Sequence, residues 1–203
     1  MIARLLLAAS ATAVLSGCAT TPMPTWGALD RVDRFTDQSS CRVTLVTAIR
    51  ADIYRPGLRF YPFVERRGSE VRVGLMSHPG LPLPVGGVQI RIDDNPAWTV
   101  DPSETPLDSQ ATTPLQLEAY LPPDATPAQV EAIRRSTEAM SSTVNQAMSP
   151  YTAATGAKAQ QIVAQMKAGS RVIYRTLGAN ASSTTGEAML GAEFNQALAR
   201  CGI

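Results

Sequence analysis

The segment Leu58–Ser77, LRFYPFVERRGSEVRVGLMS, decides the fold class. Arg66–Ser69 has the composition of a hairpin turn, and the residues after it alternate between apolar and polar side chains. The alternating residues predicted to point inward are Val71, Val73 and Leu75. Pro62 lacks a backbone N–H, which places the first strand at an edge or a bulge. The segment therefore predicts two antiparallel strands joined by a tight turn.

Strand patterns also occur on both sides of this hairpin. They lie at Cys41–Ile53, Val85–Ile92, Ala97–Val100 and Arg171–Thr176. In Val85–Ile92 the residues that share one face are Val88, Ile90 and Ile92. Short strands separated by turn residues predict antiparallel β structure.

Three helices are predicted in the second half of the chain. The first begins at Thr126, which can cap the helix, with Pro127 at its first position and Gln129 completing a capping box. Its narrow apolar stripe consists of Val130, Ile133, Thr137, Met140, Val144 and Met148. Ala157–Ala168 follows, with Ile162, Val163 and Met166 buried, and then Glu187–Arg200, where Leu190, Phe194, Leu198 and Cys201 share a face.

The predicted fold is therefore α+β: an antiparallel β-sandwich-like core with a helical insertion at about residues 126–168 and a C-terminal helix. The sequence leaves two positions open for the first helix. It lies on the sheet, or it offers a face to another protein.

The N-terminus has the pattern of a targeting segment. Arg4 precedes an uncharged run of 11 residues, Leu5–Leu15, which is too short to span a bilayer. The run ends in Leu15-Ser16-Gly17-Cys18, which resembles the lipobox of bacterial lipoproteins. The resemblance implies cleavage before Cys18, acylation of that cysteine and attachment to a membrane through lipid. An ordinary secretory signal cut near Ala19 is the alternative.

Residue 19 is Ala and not Asp. By resemblance to the lipoprotein sorting rule of enteric bacteria, in which Asp signals retention in the inner membrane, this implies a location on the periplasmic face of the outer membrane of a Gram-negative cell envelope. The expected organisation is a signal peptide at 1–17, a tether at 18–38 and a single periplasmic domain at 39–203. Cys41 and Cys201 are then the remaining cysteines, and an even pair in an oxidising compartment predicts a disulfide. Two separate buried thiols are the alternative.

Composition excludes several classes of function. The chain has 203 residues and a formal net charge of +1, which gives no electrostatic signature of nucleic acid or of an anionic membrane surface as a partner. His78 is the only histidine, so most metal sites and His-based triads are excluded. Arginines concentrate between Arg31 and Arg91, and acids between Asp93 and Glu131. We expect these charges to pair within the fold or to be solvated rather than to steer a partner.

Few residues are candidates for chemistry. Ser77 and His78 adjoin, but neighbours on a strand point to opposite faces, so we interpret His78 as a loop residue. Asp93, Asp94 and Asn95 offer oxygen ligands, yet they favour a turn before Pro96. Two of the acids Glu118, Asp124 and Glu131 could form a carboxylate pair in space, although their spacing does not indicate one. Gly86–Gly87 indicates a bulge or a close approach of the backbone. We interpret the aromatic residues of the β-rich half as core residues: Tyr54, Phe60, Tyr61, Phe63 and Trp98. We expect no catalytic residue, no metal and no cofactor.

A second resemblance concerns the mature domain. The early strand from Cys41, the segments Gly87–Asp94 and Gly169–Arg175, and the closing stretch Phe194–Cys201 resemble the invasion-associated locus B family and related small periplasmic β-sandwich proteins. The likeness implies a non-enzymatic role in the cell envelope and carries over no site residue. We expect a lipid-anchored module that binds an envelope protein or supports envelope assembly. A cell-envelope hydrolase or a small-ligand-binding lipoprotein is the alternative.

Overall fold

The computed structural model describes residues 25–52, 59–106, 108, 125–177 and 185–203. Within these ranges the strands are β1 (Trp26–Val32), β2 (Ser39–Leu45), β3 (Phe60–Arg67), β4 (Glu70–Ser77), β5 (Val88–Ile92), β6 (Trp98–Val100), β7 (Tyr151–Ala154), β8 (Arg171–Thr176) and β9 (Gly186–Met189). The helices are α1 (Val46–Asp52), α2 (Pro127–Ala147), α3 (Gly156–Ala168) and α4 (Ala192–Arg200), with a 3-10 turn at Pro102–Glu104.

The predicted hairpin forms the middle of a five-stranded antiparallel sheet, in the order β1-β2-β3-β4-β7. Val64 pairs with Val73 across the hairpin, and both are buried. Pro62 lies one residue beyond the last β2–β3 pair, so β2 requires no donor from it there. The hairpin prediction is confirmed, but the prediction that Pro62 places the first strand at an edge or a bulge was wrong. β3 lies between β2 and β4 in continuous register, and the proline is tolerated because it lies beyond the last pair with β2.

A second antiparallel sheet has the order β6-β5-β8-β9. Its predicted inward residues, Val88, Ile90 and Ile92, are buried in the same cluster as Val73 and Leu75 of the first sheet. The cluster also holds Ile162 and Met166 of α3 and Phe194 and Leu198 of α4. The α+β fold, with two antiparallel sheets, a shared core and a C-terminal helix, is confirmed.

The prediction of a tether that continues to residue 38 was wrong. Trp26–Val32 is strand β1, which pairs with β2 along its whole length. Trp26 anchors it: the indole ring lies 4.7 Å from the ring of Phe194, and its Nε1 donates to the carbonyl of Met189 at 2.7 Å. Cys41–Ile53 was also predicted as one strand, whereas β2 ends at Leu45 and α1 follows directly.

The insertion at 126–168 is interrupted by a strand. β7 lies between α2 and α3 and pairs with β4, so this part of the chain completes the first sheet. The two strands approach so closely at Gly74 that a Cβ atom there would collide with the carbonyl oxygen of Thr152. Glycine is required at this contact because no side chain fits between the strands.

The C-terminal prediction was right about the buried face but wrong about the start of the helix. Residues 186–189 form β9, and α4 begins only at Ala192. The four residues predicted to share a face are all buried: Leu190, Phe194, Leu198 and Cys201.

Candidate functional site

The predicted cysteine pair is a disulfide in the structure. Cys41 on β2 and Cys201 at the end of α4 are both buried, and their Cα atoms lie 5.3 Å apart, within the range of a disulfide. The bridge joins the first sheet to the last helix. Cys18, the predicted lipidation site, lies outside the described residues.

Ser77 and His78 bind the backbone rather than each other. The Ser77 hydroxyl donates to the carbonyl of Pro150 at 3.2 Å and accepts from the N–H of Leu83 at 3.1 Å. His78 Nδ1 accepts from the N–H of Gly80 at 3.0 Å, and Nε2 lies 3.1 Å from the carbonyl of Ile49. A carbonyl only accepts, so Nε2 is the protonated nitrogen. Both side chains fix the loop that follows β4.

Asp93 is a structural turn residue. It has a positive φ of 47°, and its carboxylate accepts from the hydroxyl of Ser170 at 2.7 Å and from the N–H of Arg171 at 2.9 Å. The hydrogen bonds from Ser170 lower the pKa of this carboxyl. The turn interpretation of Asp93–Asn95 is confirmed, and the turn also holds the start of β8.

Gly86–Gly87 is a close approach of the backbone, as predicted. Gly86 has a φ of +70°, and its carbonyl accepts from the hydroxyl of Thr152 at 2.6 Å. The carbonyl of Gly87 accepts from the N–H of Leu177. The glycines thus join the segment before β5 to β7 and β8.

The predicted acidic candidates do not form a described cluster. Glu118 and Asp124 lie outside the described residues, and Glu131 pairs with Arg134 and Arg135 on its own helix. Where the structure describes the chain, no three or more His, Cys, Asp or Glu side chains are placed to hold a metal ion. In the same ranges, no helix combines the length and the apolar character that crossing a membrane requires.

The aromatic residues lie mainly in the core. Phe63 and Tyr61 are buried on the side of the first sheet that faces away from the second sheet, and Phe60 and Trp98 are partly buried. The Tyr61 hydroxyl donates to the carboxylate of Asp52, and burial raises the pKa of the phenol. Tyr54 lies outside the described residues.

Charges from the basic and acidic stretches meet at Asp108. Its carboxylate binds Arg67 and also Arg72, whose Nη1 lies 2.6 Å away, and Arg72 is almost fully buried. Burial raises the pKa of Asp108, but the hydrogen bonds from Arg72 and Tyr151 and the positive charges of Arg72 and Arg67 together outweigh burial and hold the pKa below its usual range. Internal pairing of the two charge stretches is therefore observed at this point.

A cleft that sequence reasoning missed opens beside this ion-pair cluster. It has a volume of about 480 Å³ and is lined by Asp37, Gln38, Ser39, Arg67, Gly68, Arg72 and Asp108. These residues come from the β1–β2 turn, the β3–β4 hairpin and the segment after the 3-10 turn. No local spacing signals the cleft, because its two arginines and Asp108 are brought together only by the fold.

Helix α2 is the other feature of interest, because none of its residues is buried. The exposed fractions along its stripe are 40% for Ile133, 65% for Met140, 53% for Val144 and 62% for Met148. The predicted capping box of Thr126 and Gln129 is confirmed. Hence α2 is a well-capped helix, and four of the six residues in its apolar stripe are exposed, whereas Val130 and Thr137 are partly buried.

A contact of α2 with the body of the domain lies on another side of the helix. Gln146 Nε2 donates to the carbonyls of Ser103 and Thr105 at 3.1 and 3.2 Å. At 100° per residue, Gln146 lies about 120° around the helix from Met140 and about 160° from Val144. Of the two positions that the sequence left open, the structure favours a helix whose stripe points away from the sheets.

Comparison with known proteins adds no relative: no family model, curated protein or solved structure matches this chain.

Proposed function

We propose that the protein is a non-enzymatic, lipid-anchored module of the outer membrane that faces the periplasm and binds an envelope protein through α2. The observation that carries the proposal is the exposed stripe of α2 on a helix with no buried residue. The anchor rests on the resemblance of Leu15–Cys18 to a lipobox. Acylation supplies the membrane attachment, and α2 remains free to bind.

The chemistry of α2 fits a partner that contributes an amphipathic helix. Along α2, six residues recur at alternating spacings of three and four, which is the repeat of a coiled-coil seam. This seam consists of Val130, Ile133, Thr137, Met140, Val144 and Ala147. From Ala139 to Met148 the helix carries no charged residue, so this half of the seam joins an apolar surface without burying a charge. The partner is therefore expected to offer an apolar stripe of the same period.

The size of the stripe limits the affinity. Fully burying one large apolar side chain stabilises a complex by about 1.5–3 kcal/mol, and the four exposed residues are already partly covered. Association entropy offsets much of this gain. We expect a dissociation constant of micromolar order or weaker, which suits partners held on the same membrane.

Photo-crosslinking in cells tests the proposal. A benzophenone side chain is placed at Met140, in the stripe, or at its neighbour Ala139, which is also exposed but lies about 100° away. We expect an adduct with a distinct envelope protein at residue 140, at least tenfold weaker at 139 and lost when Val144→Lys is added. Equal adducts at both positions would contradict binding through the stripe. An adduct at twice the mass of the uncrosslinked protein, with peptides of this chain alone, would show instead that the partner is a second copy.

Fractionation tests the anchor separately. Cys18→Ser is expected to move the protein from the membrane to the soluble periplasmic fraction. Membrane association that persists in this variant after its leader has been cleaved would contradict a lipid anchor at Cys18.

Small-ligand binding is the second candidate, and the cleft beside Arg67 and Arg72 supports it. Two guanidinium groups around one carboxylate offer N–H donors that suit a carboxylate or phosphate ligand. Citrate and inorganic phosphate serve as probes in a thermal-shift titration. A saturable rise in Tm that Arg67→Gln abolishes would favour this candidate, and no shift would leave the α2 proposal alone.

The hydrolase alternative has less support. The hydrogen bonds of Ser77 and His78 go to the backbone, so the only histidine is not aimed at a serine nucleophile next to it.

A further inference from the structure

We propose that the end of the first sheet at which β1 begins lies against the membrane, and that Arg50 and Arg59 contact its lipid phosphate groups. The inference rests on the proposed lipid anchor and adds to it an orientation and a second contact. Its occupant is the bilayer that holds the acylated chain.

The place where the chain leaves the domain is fixed. The N–H of Thr25 donates to the hydroxyl of Thr47 on α1 at 2.7 Å, and the two hydroxyls lie 3.2 Å apart. Seven peptide units separate Thr25 from Cys18, and even fully extended they span at most about 25 Å. An acylated Cys18 thus keeps Thr25 within that distance of the bilayer surface.

The strand register defines which parts of the fold share this end. Trp26 pairs with Leu45, and Phe60 pairs with Ser77, so α1, the start of β3 and the loop after β4 all lie there. The opposite end carries the β1–β2 turn and the turn at Gly68–Ser69. β3 has eight residues, which separates the two ends by about 27 Å.

The elements around Thr25 carry exposed basic and apolar groups. Arg50 is exposed on α1 one turn after Thr47, on the same side of the helix. The side chain of Arg59, just before β3, is 68% exposed. Asp52, the acid of α1, is buried and hydrogen-bonded to Tyr61, and its carboxylate lies 3.8 Å from Arg59. The net charge of Arg50, Arg59 and Asp52 is therefore +1, and the negative charge, on Asp52, is buried.

The loop after β4 adds an apolar contact at the same end. Leu81 is 40% exposed, and the loop that holds it is tied to α1 by the contact of His78 Nε2 with the carbonyl of Ile49. Two exposed arginines and an exposed leucine at the same end of the sheet suit a surface of phosphate groups over an apolar interior.

The arginines are too few to bind a membrane alone, but the anchor removes that requirement. Each basic residue near an anionic surface favours contact by about fivefold, so two favour the docked orientation by about 25-fold. The acyl chains hold the domain at the bilayer surface, and the two arginines then determine which face of the domain contacts the bilayer. The cleft at Arg67 and Asp108 consequently points into the periplasm.

Depth-dependent quenching tests the orientation on the acylated full-length protein, reconstituted in vesicles of phosphatidylethanolamine and phosphatidylglycerol. A dye is attached through p-azidophenylalanine at Leu81 or, as the matched control, at Ser69 in the exposed turn of the opposite end. This chemistry leaves the cysteines untouched. With a quencher on the lipid headgroups, we expect at least threefold more quenching at 81 than at 69.

Variants identify the groups responsible. Arg50→Glu and Arg59→Glu, singly and together, are expected to lower the ratio of quenching at 81 to that at 69, and so is 0.5 M salt. Arg50 is exposed, so Arg50→Glu keeps the test informative if the double variant unfolds. Equal quenching at 81 and 69 would overturn the orientation, and a ratio that neither arginine variant changes would overturn the phosphate contact.

Mass spectrometry separates these failures from failure of the anchor. An N-terminal peptide without acyl groups would overturn the lipid anchor and the orientation together. An acylated peptide with equal quenching would overturn the orientation alone.

Discussion

The β3–β4 hairpin and helix α2 both follow a regular apolar period, but only the hairpin buries it. Val64, Val73 and Leu75 of the hairpin are at most 1% exposed, whereas no residue of α2 is buried. The apolar period therefore predicts the secondary structure in both regions, but in neither region does it indicate which surface packs against the apolar residues. For the hairpin the partner is the second sheet with α3 and α4, and we propose that for α2 it is another protein.

The largest expected loss of stability comes from a change in the buried core that the hairpin shares. Cys201→Ala removes the disulfide that joins α4 to β2 across a sequence separation of 160 residues. We expect a loss of about 3–5 kcal/mol in the free energy of unfolding, because so long a loop gains most from closure. Urea denaturation followed by circular dichroism measures it, with Cys18→Ser as the control. A loss below about 1 kcal/mol would contradict a stabilising role for the bridge.

A pair of truncations compares the two regions directly. Leu75→Ala, at 0% exposure, is expected to cost about 2–5 kcal/mol because it leaves a cavity in the shared core. Val144→Ala, at 53% exposure, is expected to change stability by less than about 0.5 kcal/mol. Equal losses in urea denaturation would mean that α2 is packed against the domain, and the contrast would be wrong.

Sequence patterns predicted the elements that are long or strongly periodic. The hairpin, β5, β8 and the capped start of α2 were right because each carries its own local signal. β7 was missed because Tyr151–Ala154 has four residues, and its pairing depends on the absence of a side chain at Gly74. β1 was missed because Asp30, which is exposed and pairs with Cys41, breaks the apolar alternation begun by Trp26 and Ala28.

The candidate surfaces were predictable to different degrees. The α2 stripe is visible in sequence because its residues recur at helical spacing, although its exposure is not. The cleft beside Arg72 is invisible there because Asp108 follows Arg72 by 36 residues and reaches it only through the fold. The ordinary roles of His78 and Asp93 were predicted from their neighbours alone, because loop and turn residues act locally.

Acid titration examines the ion-pair cluster beside the hairpin. Arg72 lowers the pKa of Asp108 in the folded state, so the stability that Asp108 contributes is present above its ordinary value of 3.8 and disappears as pH falls through the lower folded pKa. Asp108→Asn is expected to cost about 1 kcal/mol at pH 7, the scale of a partly exposed charged hydrogen bond. The difference from the wild type should shrink as the pH falls below 3.8 and vanish once the carboxyl is protonated in the folded state as well. A difference independent of pH would show that the loss is not electrostatic.

The smallest expected effect is the most informative about α2. Thr126→Ala removes the side-chain cap that accepts from the N–H of Gln129, which destabilises the helix locally by about 1 kcal/mol. Because α2 has no buried residue, we expect hydrogen exchange in its first turns to accelerate about fivefold while Tm changes by less than about 1 °C. Thr155→Ala is the matched control, since Thr155 makes no side-chain cap to the packed helix α3. If Thr126→Ala lowered the global free energy of unfolding by the full 1 kcal/mol or so, α2 would fold together with the sheets. The formation of α2 would then depend on its contacts with the domain, and α2 would not be an independent helix held ready for a partner.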